Sequence, residues 1–250
     1  MRSMSRSQGL RVRRIPLGRT AFLVVIALWL ATVAQPQAGS AAGLTVASGN
    51  LTVYRTCTLS GTIAASTAMV DSYVDQQNAT TNNGAVGTMD AQTANNKNRR
   101  PYVRFDLTQC SPLIPSSATV HVSTLRLWVT AVPTTCRTEN IYPATAAWTE
   151  GAITWNNQPF GTTINNPSSA SRTDGVSIGG GVCTYTTAAQ YVSWTVTTDV
   201  TKFVNGTMTN NGWMIRDDTE DANPTKTATF GSSDAVSIPH APQLIVTYAT

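Results

Sequence analysis

The chain is constrained most by a two-residue alternation of apolar and polar side chains, which recurs in short runs from about residue 44 onward. In one such run, Val103, Phe105 and Leu107 alternate with other residues that include Tyr102 and Arg104. Because successive side chains of a strand point to opposite faces of its sheet, the first three are predicted to face a core. Tyr102 and Arg104 are predicted to face solvent on the other side of that strand.

Three more runs repeat this period, and their predicted inward residues are Val120, Val122, Leu125, Leu127, Val129, Val192, Trp194, Val196, Leu244, Val246 and Tyr248. The first of these runs changes phase near Ser123, which a bulge could absorb. A helix is predicted only over residues 198–206, which begin with an N-cap candidate, Thr198 or Asp199, and end in a glycine. Strands without intervening helices predict an all-β fold, specifically an antiparallel β-sandwich of jelly-roll type with one short helix.

Three long loops, residues 76–98, 156–181 and 217–227, separate the predicted strands. They are rich in Asn, Thr, Gly or acidic residues, and the second contains three consecutive glycines. Long loops on a rigid β-sandwich commonly carry binding sites. We find no linker of uniform composition and no internal repeat, so one domain is predicted.

The first 42 residues have the pattern of a secretory signal peptide. Arginines precede an unbroken apolar run over residues 21–34, and small residues follow at 38–42. A permanent membrane anchor is the alternative, but a membrane-spanning helix needs about twenty apolar residues, and Gln35 and Pro36 end this run early. We therefore predict a signal peptide over residues 1–42 and a secreted, extracellular product without a membrane anchor.

The remaining chain is predicted to have an N-terminal extension, residues 43–69, and one β-sandwich domain, residues 70–250. The full sequence contains 17 basic and 13 acidic residues, a formal net charge of +4. Six of the arginines lie within the first twenty residues, and the chain without residues 1–42 has 11 basic and 13 acidic residues. This slightly acidic balance argues against nucleic acid or an anionic membrane as a partner.

All four cysteines lie after the predicted signal peptide, at Cys57, Cys110, Cys136 and Cys183. An even count in an exported chain favours two disulfides over free thiols. The chain has no CxxC motif and only two histidines, His121 and His240, so a zinc site is disfavoured. Three connectivities are possible, and we favour the first cysteine with the second and the third with the fourth, because each pair would join neighbouring strands.

Short motifs follow one another in a defined order along residues 70–248. They occupy residues 71–74, 82–84, 100–107, 114–120, 125–129, 147–150, 153–159, 194–200, 211–215, 230–233 and 242–248. The most specific are Trp-Thr-Glu at 148–150 and Trp-Asn-Asn-Gln-Pro at 155–159. In this order they resemble the DNRLRE-domain family, also grouped as carbohydrate-binding module family 96 and related to the disaggregatase domain. The chain departs from the family pattern at Trp213, where a smaller aliphatic residue is typical, and in its four cysteines.

The resemblance implies a secreted jelly-roll β-sandwich that serves as an accessory module on polysaccharide-active or cell-surface proteins. It implies no conserved catalytic centre, and it does not identify the sugar. Recognition of sugars pairs an aromatic ring, which covers the C–H face of a pyranose, with planar polar groups that bind its hydroxyls or carboxylates. The candidate carbohydrate-binding residues are Tyr102, Arg104, Arg126, Trp128, Trp148 and Trp155.

Two of these aromatics and both arginines lie at predicted outward positions of two strands. If the strands are neighbours, Tyr102, Arg104, Arg126 and Trp128 form one patch that would suit an acidic glycan such as a uronate polymer. The alternative is that Arg104 pairs with Asp106 or a cross-strand carboxylate and that the rings cover aliphatic stems. For Trp148 and Trp155, the alternative is a buried role in closing their own loop.

Two groups of oxygen-bearing side chains are candidates for calcium. One is the acidic run at residues 217–221, and the other is Asp71 with Asn82. Neither has the spacing of a known calcium loop such as an EF-hand, so a solvated acidic turn is the favoured interpretation for the run. We therefore expect no required cofactor and keep calcium as the alternative.

The predicted function is that of a monomeric, non-catalytic polysaccharide-binding module, for acidic or cell-surface glycans. One alternative is a structural or adhesive wall protein, and another is a polysaccharide-degrading enzyme. Glycoside hydrolysis needs two carboxyl groups across a cleft, and Glu139, Glu150 and Asp106 are candidates that no motif brings together. His121 is a candidate base for a lyase but is expected to lie within a strand without a catalytic role.

Overall fold

The computed structural model describes residues 52–61, 68–235 and 240–250. All of these residues lie in one structural unit of the chain, residues 50–250. The predicted signal peptide and the start of the predicted extension lie outside the described residues. None of the helices in the described residues is long and apolar enough to cross a membrane.

Antiparallel strands and one short α-helix build the described part of the chain, which confirms the predicted all-β fold. The strands are β1 (Tyr54–Ser60), β2 (Met69–Asp75), β3 (Thr88–Thr93), β4 (Arg99–Phe105), β5 (Thr119–Ala131), β6 (Arg137–Pro143), β7 (Asp174–Ile178), β8 (Gln190–Thr195), β9 (Trp213–Asp217), β10 (Lys226–Gly231) and β11 (Gln243–Ala249). The helices are α1 (Thr197–Val204) and two 3-10 turns at Leu107–Gln109 and Ser169–Ser171.

Strand pairing separates the two strands that carry most of the predicted binding residues. Hydrogen bonds give the order β1-β11-β5-β10-β3-β4-β9-β6-β7, with β2 beside β4 and β8 beside β5. Two strands, β10 and β3, therefore lie between β5 and β4. Trp194 of β8 bonds across the interior through its indole Nε1, which donates to the carbonyl oxygen of Glu139 on β6 at 2.9 Å. The sheet thus folds over a shared core, as a β-sandwich requires.

The inward residues of β5, β8 and β11 are placed as the alternation predicts, with one exception. Leu125, Leu127 and Trp194 have no exposed surface. Val122, by contrast, is 42% exposed, and Ser123 is fully buried. The pairing of β5 with β11 shifts register between residues 120 and 122, so the bulge falls earlier than predicted and turns Val122 outward.

A second hydrophobic cluster covers the face of β4 that was predicted to meet solvent. Residues 144–164 fold over this face and contribute Trp148, Ile153 and Trp155. The other members of the cluster are Val74, Tyr102, Tyr142, Ala144 and Met214. Both faces of β4 are therefore covered by other residues. A two-residue alternation whose second face carries a large aromatic side chain does not by itself show that this face is exposed to solvent.

The N-terminal strand β1 belongs to the domain, although it lies inside the segment predicted to be an extension. It pairs with β11 along its full length, from Tyr54 opposite Ala249 to Ser60 opposite Gln243. A disulfide between Cys57 and Cys110 ties it to the loop after β4. The domain therefore begins before residue 70.

Both predicted disulfides are present. Besides the first bond, Cys136 is bonded to Cys183, which joins the start of β6 to the loop after β7. The four cysteines are thereby all paired. Each bond closes a loop of the unfolded chain and typically stabilises the folded state by about 2–4 kcal/mol.

The helix α1 occupies the predicted segment, with a different N-terminus. It begins at Thr197, one residue earlier than the predicted cap region, and its N-cap residue makes no side-chain hydrogen bond. Asp199 is buried instead, where it accepts hydrogen bonds from Thr173 Oγ1 at 2.6 Å and from Trp213 Nε1 at 2.9 Å. Trp213, which departs from the family pattern, is thus a core residue held by a buried carboxylate.

Candidate functional site

An aromatic pair occupies the outward face of two neighbouring strands, β5 and β8. Trp128 and Tyr191 are direct cross-strand partners, and their ring centroids lie 5.2 Å apart in an edge-to-face arrangement. Both residues are half-buried, because Leu127 and Val192 beside them point into the core. Cross-strand aromatic pairs of this kind stabilise a sheet while leaving part of each ring in contact with solvent.

Two more side chains extend the pair into a continuous surface. The guanidinium of Arg126 lies 4.2 Å from the centroid of the Tyr191 ring. The imidazole of His240 lies 3.9 Å from the Trp128 ring. The Tyr191 hydroxyl donates to the carbonyl oxygen of Ala241 at 3.1 Å, and this hydrogen bond holds the Tyr191 ring against the segment that carries His240. We call Arg126, Trp128, Tyr191 and His240 the aromatic patch.

Arg126 forms no ion pair with any carboxylate of the described residues. Its one side-chain polar contact in the described residues is a 3.4 Å hydrogen bond from Nη1 to Gln243 Oε1. The ion pairs in the described part of the chain are formed by three other arginines, Arg99, Arg100 and Arg137. Burial raises the pKa of Tyr191, whereas Arg126 opposes that rise, so the phenol stays neutral near pH 7. The patch therefore carries an uncompensated cation.

Tyr102 does not face solvent, and that prediction is wrong. The residue is fully buried, and its hydroxyl donates to Gln158 Oε1 at 3.0 Å. Burial raises the pKa of this phenol, with the nearby Arg100 opposing the rise. The long loop after β6 covers the ring, which a strand pattern alone does not reveal.

Trp148 and Trp155 lie in that covering loop and are buried as well. Trp148 donates from its indole Nε1 to the carbonyl oxygen of Asn211 at 2.8 Å. Trp155 packs under Arg100, whose guanidinium carbon lies 4.5 Å from the ring centroid. Both tryptophans close the loop onto the domain and thus match the structural alternative that the sequence left open.

Arg104 lies apart from the aromatic patch, beside a separate pocket. The pocket has a volume of about 470 Å³, and its lining includes Asp106, Phe203 and Asn210. Arg104 donates to the carbonyl oxygen of Trp148 at 3.3 Å and forms no ion pair with Asp106. The predicted single patch of Tyr102, Arg104, Arg126 and Trp128 is therefore wrong: two arginines sit on different surfaces, and one aromatic is buried.

All four carboxylates of the acidic run 217–221 are bound by other side chains of the protein. Asp217 pairs with Arg137, and Glu220 pairs with Arg100 in the interior. The two other aspartates of the run accept hydrogen bonds from Asn140 and Asn98. These contacts leave the run organised as a loop anchor rather than as a set of free metal ligands.

The carboxylates considered for hydrolysis lie in three different environments. Glu139 is 1% exposed, which removes it from contact with any polymer. Asp106 caps the first 3-10 turn by accepting from the Thr108 backbone N–H at 2.9 Å, and its pKa is lowered by its hydrogen bonds to Thr108. Glu150 accepts from the backbone N–H of Asp71 at 3.1 Å.

The pKa of Glu139 is raised by burial and by Asp217, whereas Arg137 and Arg216 oppose the rise. The folded protein therefore holds a proton that the unfolded chain releases above the ordinary pKa of 4.5. Stability is expected to fall as pH rises from that value toward the raised pKa. In Glu139→Gln this part of the fall should disappear. The free energies of unfolding of the wild type and of Glu139→Gln, measured with urea at several pH values, should therefore be closest at acid pH and should differ increasingly as pH rises. Parallel curves would contradict the assignment.

Sequence reasoning did not select Tyr191, His240 or Gln243. Tyr191 precedes the inward Val192 in β8 and could have been found by extending the same alternation. His240 lies outside any strand, and only the three-dimensional contact with Trp128 brings it to the surface described above. Arg126 and Trp128 are the two predicted residues that belong to the aromatic patch. Trp148, by contrast, contacts the buried Tyr102 and also Arg104, with its ring 5.6 Å from the Tyr102 ring and from the Arg104 guanidinium.

Comparison with known families agrees with the motifs that the sequence contains. Residues 62–248 match carbohydrate-binding module family 96, from before β2 to within β11. No curated protein sequence matches the chain. The match covers most of the chain and includes both the aromatic patch and the pocket beside Arg104, so the chain belongs to carbohydrate-binding module family 96.

Proposed function

We propose that the protein binds an acidic polysaccharide at the aromatic patch, outside the cell and without catalysis. The observation that carries this proposal is the unpaired guanidinium of Arg126, stacked at 4.2 Å on Tyr191 beside the half-exposed Trp128. Membership of the family supports carbohydrate binding in general. The residues of the aromatic patch support the proposed location of the binding site and the proposed preference for acidic glycans.

The chemistry of the patch suits a uronate polymer. Ring faces cover the apolar C–H side of a pyranose, and a planar guanidinium binds a carboxylate through two parallel hydrogen bonds. Gln243 adds an amide that can bind hydroxyl groups. The aromatics are held by the sheet and by the Tyr191 hydrogen bond to Ala241, so little conformational freedom is lost when a sugar binds.

The two disulfides support an extracellular location. Cys57–Cys110 and Cys136–Cys183 both form within the domain, and such bonds persist in oxidising compartments. A chain that works on extracellular polymers would meet its glycan there. A structural or adhesive wall protein is the alternative that the binding experiment distinguishes.

Affinity electrophoresis in gels that contain polygalacturonate or a neutral glucan tests the proposal. We expect retardation by the acidic polymer only, weakening as salt screens the arginine charge. Arg126→Ala should weaken binding by about 10–100-fold, because a charge-assisted hydrogen bond contributes about 1.5–3 kcal/mol. Arg104→Ala is the matched control, since it removes an arginine from the separate pocket, and it should retain wild-type retardation.

Three outcomes would contradict the proposal. Equal migration in all gels would favour the structural alternative. Loss of retention in Arg104→Ala but not in Arg126→Ala would move the site to the pocket beside β4. Release of reducing ends or unsaturated products from the polymer would show catalysis instead.

A further inference from the structure

Three carboxylates from separate segments converge on one side of β2. They belong to Asp71 in β2, Glu150 in the loop after β6, and Asp234 in the turn after β10. One oxygen atom from each lies within 4.8 Å of the others. It is the one group of at least three potential ligand side chains that the described residues form.

Asp71 makes this group different from an ordinary acidic surface. It is 1% exposed, and its Oδ1 has no hydrogen-bond partner among the described residues. Its Oδ2 accepts from the backbone N–H of Ser233 at 2.7 Å, which holds the carboxyl group in place. An orphaned carboxylate oxygen in the interior costs free energy unless a proton or a cation compensates it.

The negative charges of the neighbouring carboxylates increase the free-energy cost of an ionised Asp71. Burial, with smaller contributions from the charges of Glu150 and Asp234, raises the pKa of Asp71 to about 7, against hydrogen bonds from Ser233 that lower it. The pKa of Glu150 is also raised, by burial and by Asp234, with Arg104 opposing the rise. In the described residues Arg104 forms no ion pair with any of the three. Among the described residues, no ion pair compensates the charge of these three carboxylates.

We propose that Asp71, Glu150 and Asp234 bind a calcium ion that fastens the loop after β6 and the turn after β10 to β2. Calcium takes oxygen ligands at about 2.4 Å, so two oxygens that share one ion lie at most about 4.8 Å apart. The three carboxylate oxygens, which all lie within 4.8 Å of one another, meet this limit. Ligands from three separate segments suit the flexible coordination of calcium better than the strict octahedron of magnesium.

The surrounding backbone is built to hold the site. Asn82 donates from Nδ2 to the carbonyl oxygens of Glu150 and Ile153 at 2.6 and 2.8 Å, which fixes the loop that carries Glu150. Gly84 lies so close to this loop that an added Cβ would meet the Glu150 carbonyl oxygen at 2.4 Å. Asn82, the residue that the sequence paired with Asp71 as a calcium candidate, therefore positions a ligand.

Terbium luminescence of the purified protein tests the site directly, without any glycan. Trp148 lies two residues from Glu150, so their Cα atoms are at most about 7 Å apart and the indole can sensitise a bound Tb³⁺. We expect saturable emission that calcium chloride displaces, with a dissociation constant for calcium of about 0.1–1 mM, as in extracellular modules. Asp234→Asn should weaken the displacement at least tenfold.

The matched control is Asp221→Asn, an exposed aspartate of the other acidic run, which should leave emission and displacement unchanged. In thermal unfolding, 10 mM calcium should raise the Tm of the wild type by about 5 °C over EDTA. Asp234→Asn should keep at least the wild-type Tm in EDTA, because it relieves repulsion, but should not respond to calcium. Absent or non-displaceable emission in the wild type, or equal responses in wild type and Asp234→Asn, would overturn the proposal.

Discussion

Arg100→Met is expected to lower the free energy of unfolding by about 3–5 kcal/mol, the usual cost of leaving one member of a buried ion pair without its partner. Both side chains of the Arg100–Glu220 pair are 0% exposed, and the guanidinium binds both carboxylate oxygens at 2.7 and 2.8 Å. Removal of Arg100 would leave the Glu220 carboxylate charged in the interior.

The same guanidinium organises the loop that covers β4. Its three remaining N–H groups donate to Gln158 Oε1 and to the carbonyl oxygens of Gly161 and Thr163, at 2.8–3.1 Å. Its plane also lies over the Trp155 ring at 4.5 Å. All five donors of Arg100 are thus used, and the loss of stability should be accompanied by exposure of Trp155 to solvent quenchers.

Arg99→Met is the matched control, because this neighbouring arginine pairs with Asp75 and Asp90 while its own side chain is 26% exposed. A partly exposed ion pair costs less to break than a fully buried one, so the loss of Arg99 should lower stability by less than the loss of Arg100. Denaturant unfolding compares the two variants with the wild type. A loss in Arg100→Met no larger than in Arg99→Met would contradict the account of the buried pair.

A second variant separates the buried charge from the lost packing. Arg100→Met combined with Glu220→Leu removes both charges and should be more stable than Arg100→Met alone. The same measurement of unfolding decides the result. Equal stability of the single and double variants would show that the cost comes from the loop contacts rather than from the unpaired carboxylate.

The sequence predicts the fold class and the helix because each depends on local patterns, and the favoured one of three cysteine connectivities is the one observed. Alternation identifies the strands, and its phase correctly places Trp194 and Leu127 inside. The outward phase of β5 likewise selects Arg126 and Trp128, which the structure joins into one surface through Tyr191. The pleat of a strand determines which residues share a face of the sheet, so their separation in sequence is enough to predict that they lie on the same side.

The failures concern relations between distant segments. Tyr102 was predicted to meet solvent because alternation cannot show that residues 144–164 fold over β4. Arg104 and Trp128 were placed in one patch because the sequence does not specify strand order, and β10 and β3 lie between their strands. The three carboxylates near β2 come from positions 71, 150 and 234, whose convergence depends on the same long-range topology.

Trp128→Ala is expected to weaken the binding of an acidic polysaccharide by about 10–100-fold, because aromatic side chains dominate the energetics of binding surfaces. Trp128 contacts both Tyr191 and His240, so its removal takes away the centre of the aromatic patch. The strand should remain folded, since Trp128 is only half-buried, and a loss of about 1 kcal/mol in stability is expected.

Tyr54→Ala is the matched control for this variant. Tyr54 is 54% exposed, its ring lies 4.9 Å from that of His121, and Arg55 follows it in the chain. Tyr54 thus lies on β1 beside His121 at the start of β5, and neither residue belongs to the aromatic patch. A polymer that merely adsorbs to surface aromatics would respond to either substitution.

Isothermal titration calorimetry with a purified galacturonate oligosaccharide compares the wild type, Trp128→Ala and Tyr54→Ala. We expect the dissociation constant to rise about 10–100-fold in Trp128→Ala and to stay at the wild-type value in Tyr54→Ala. Wild-type affinity in Trp128→Ala, in a protein that still unfolds cooperatively, would show that the glycan binds elsewhere.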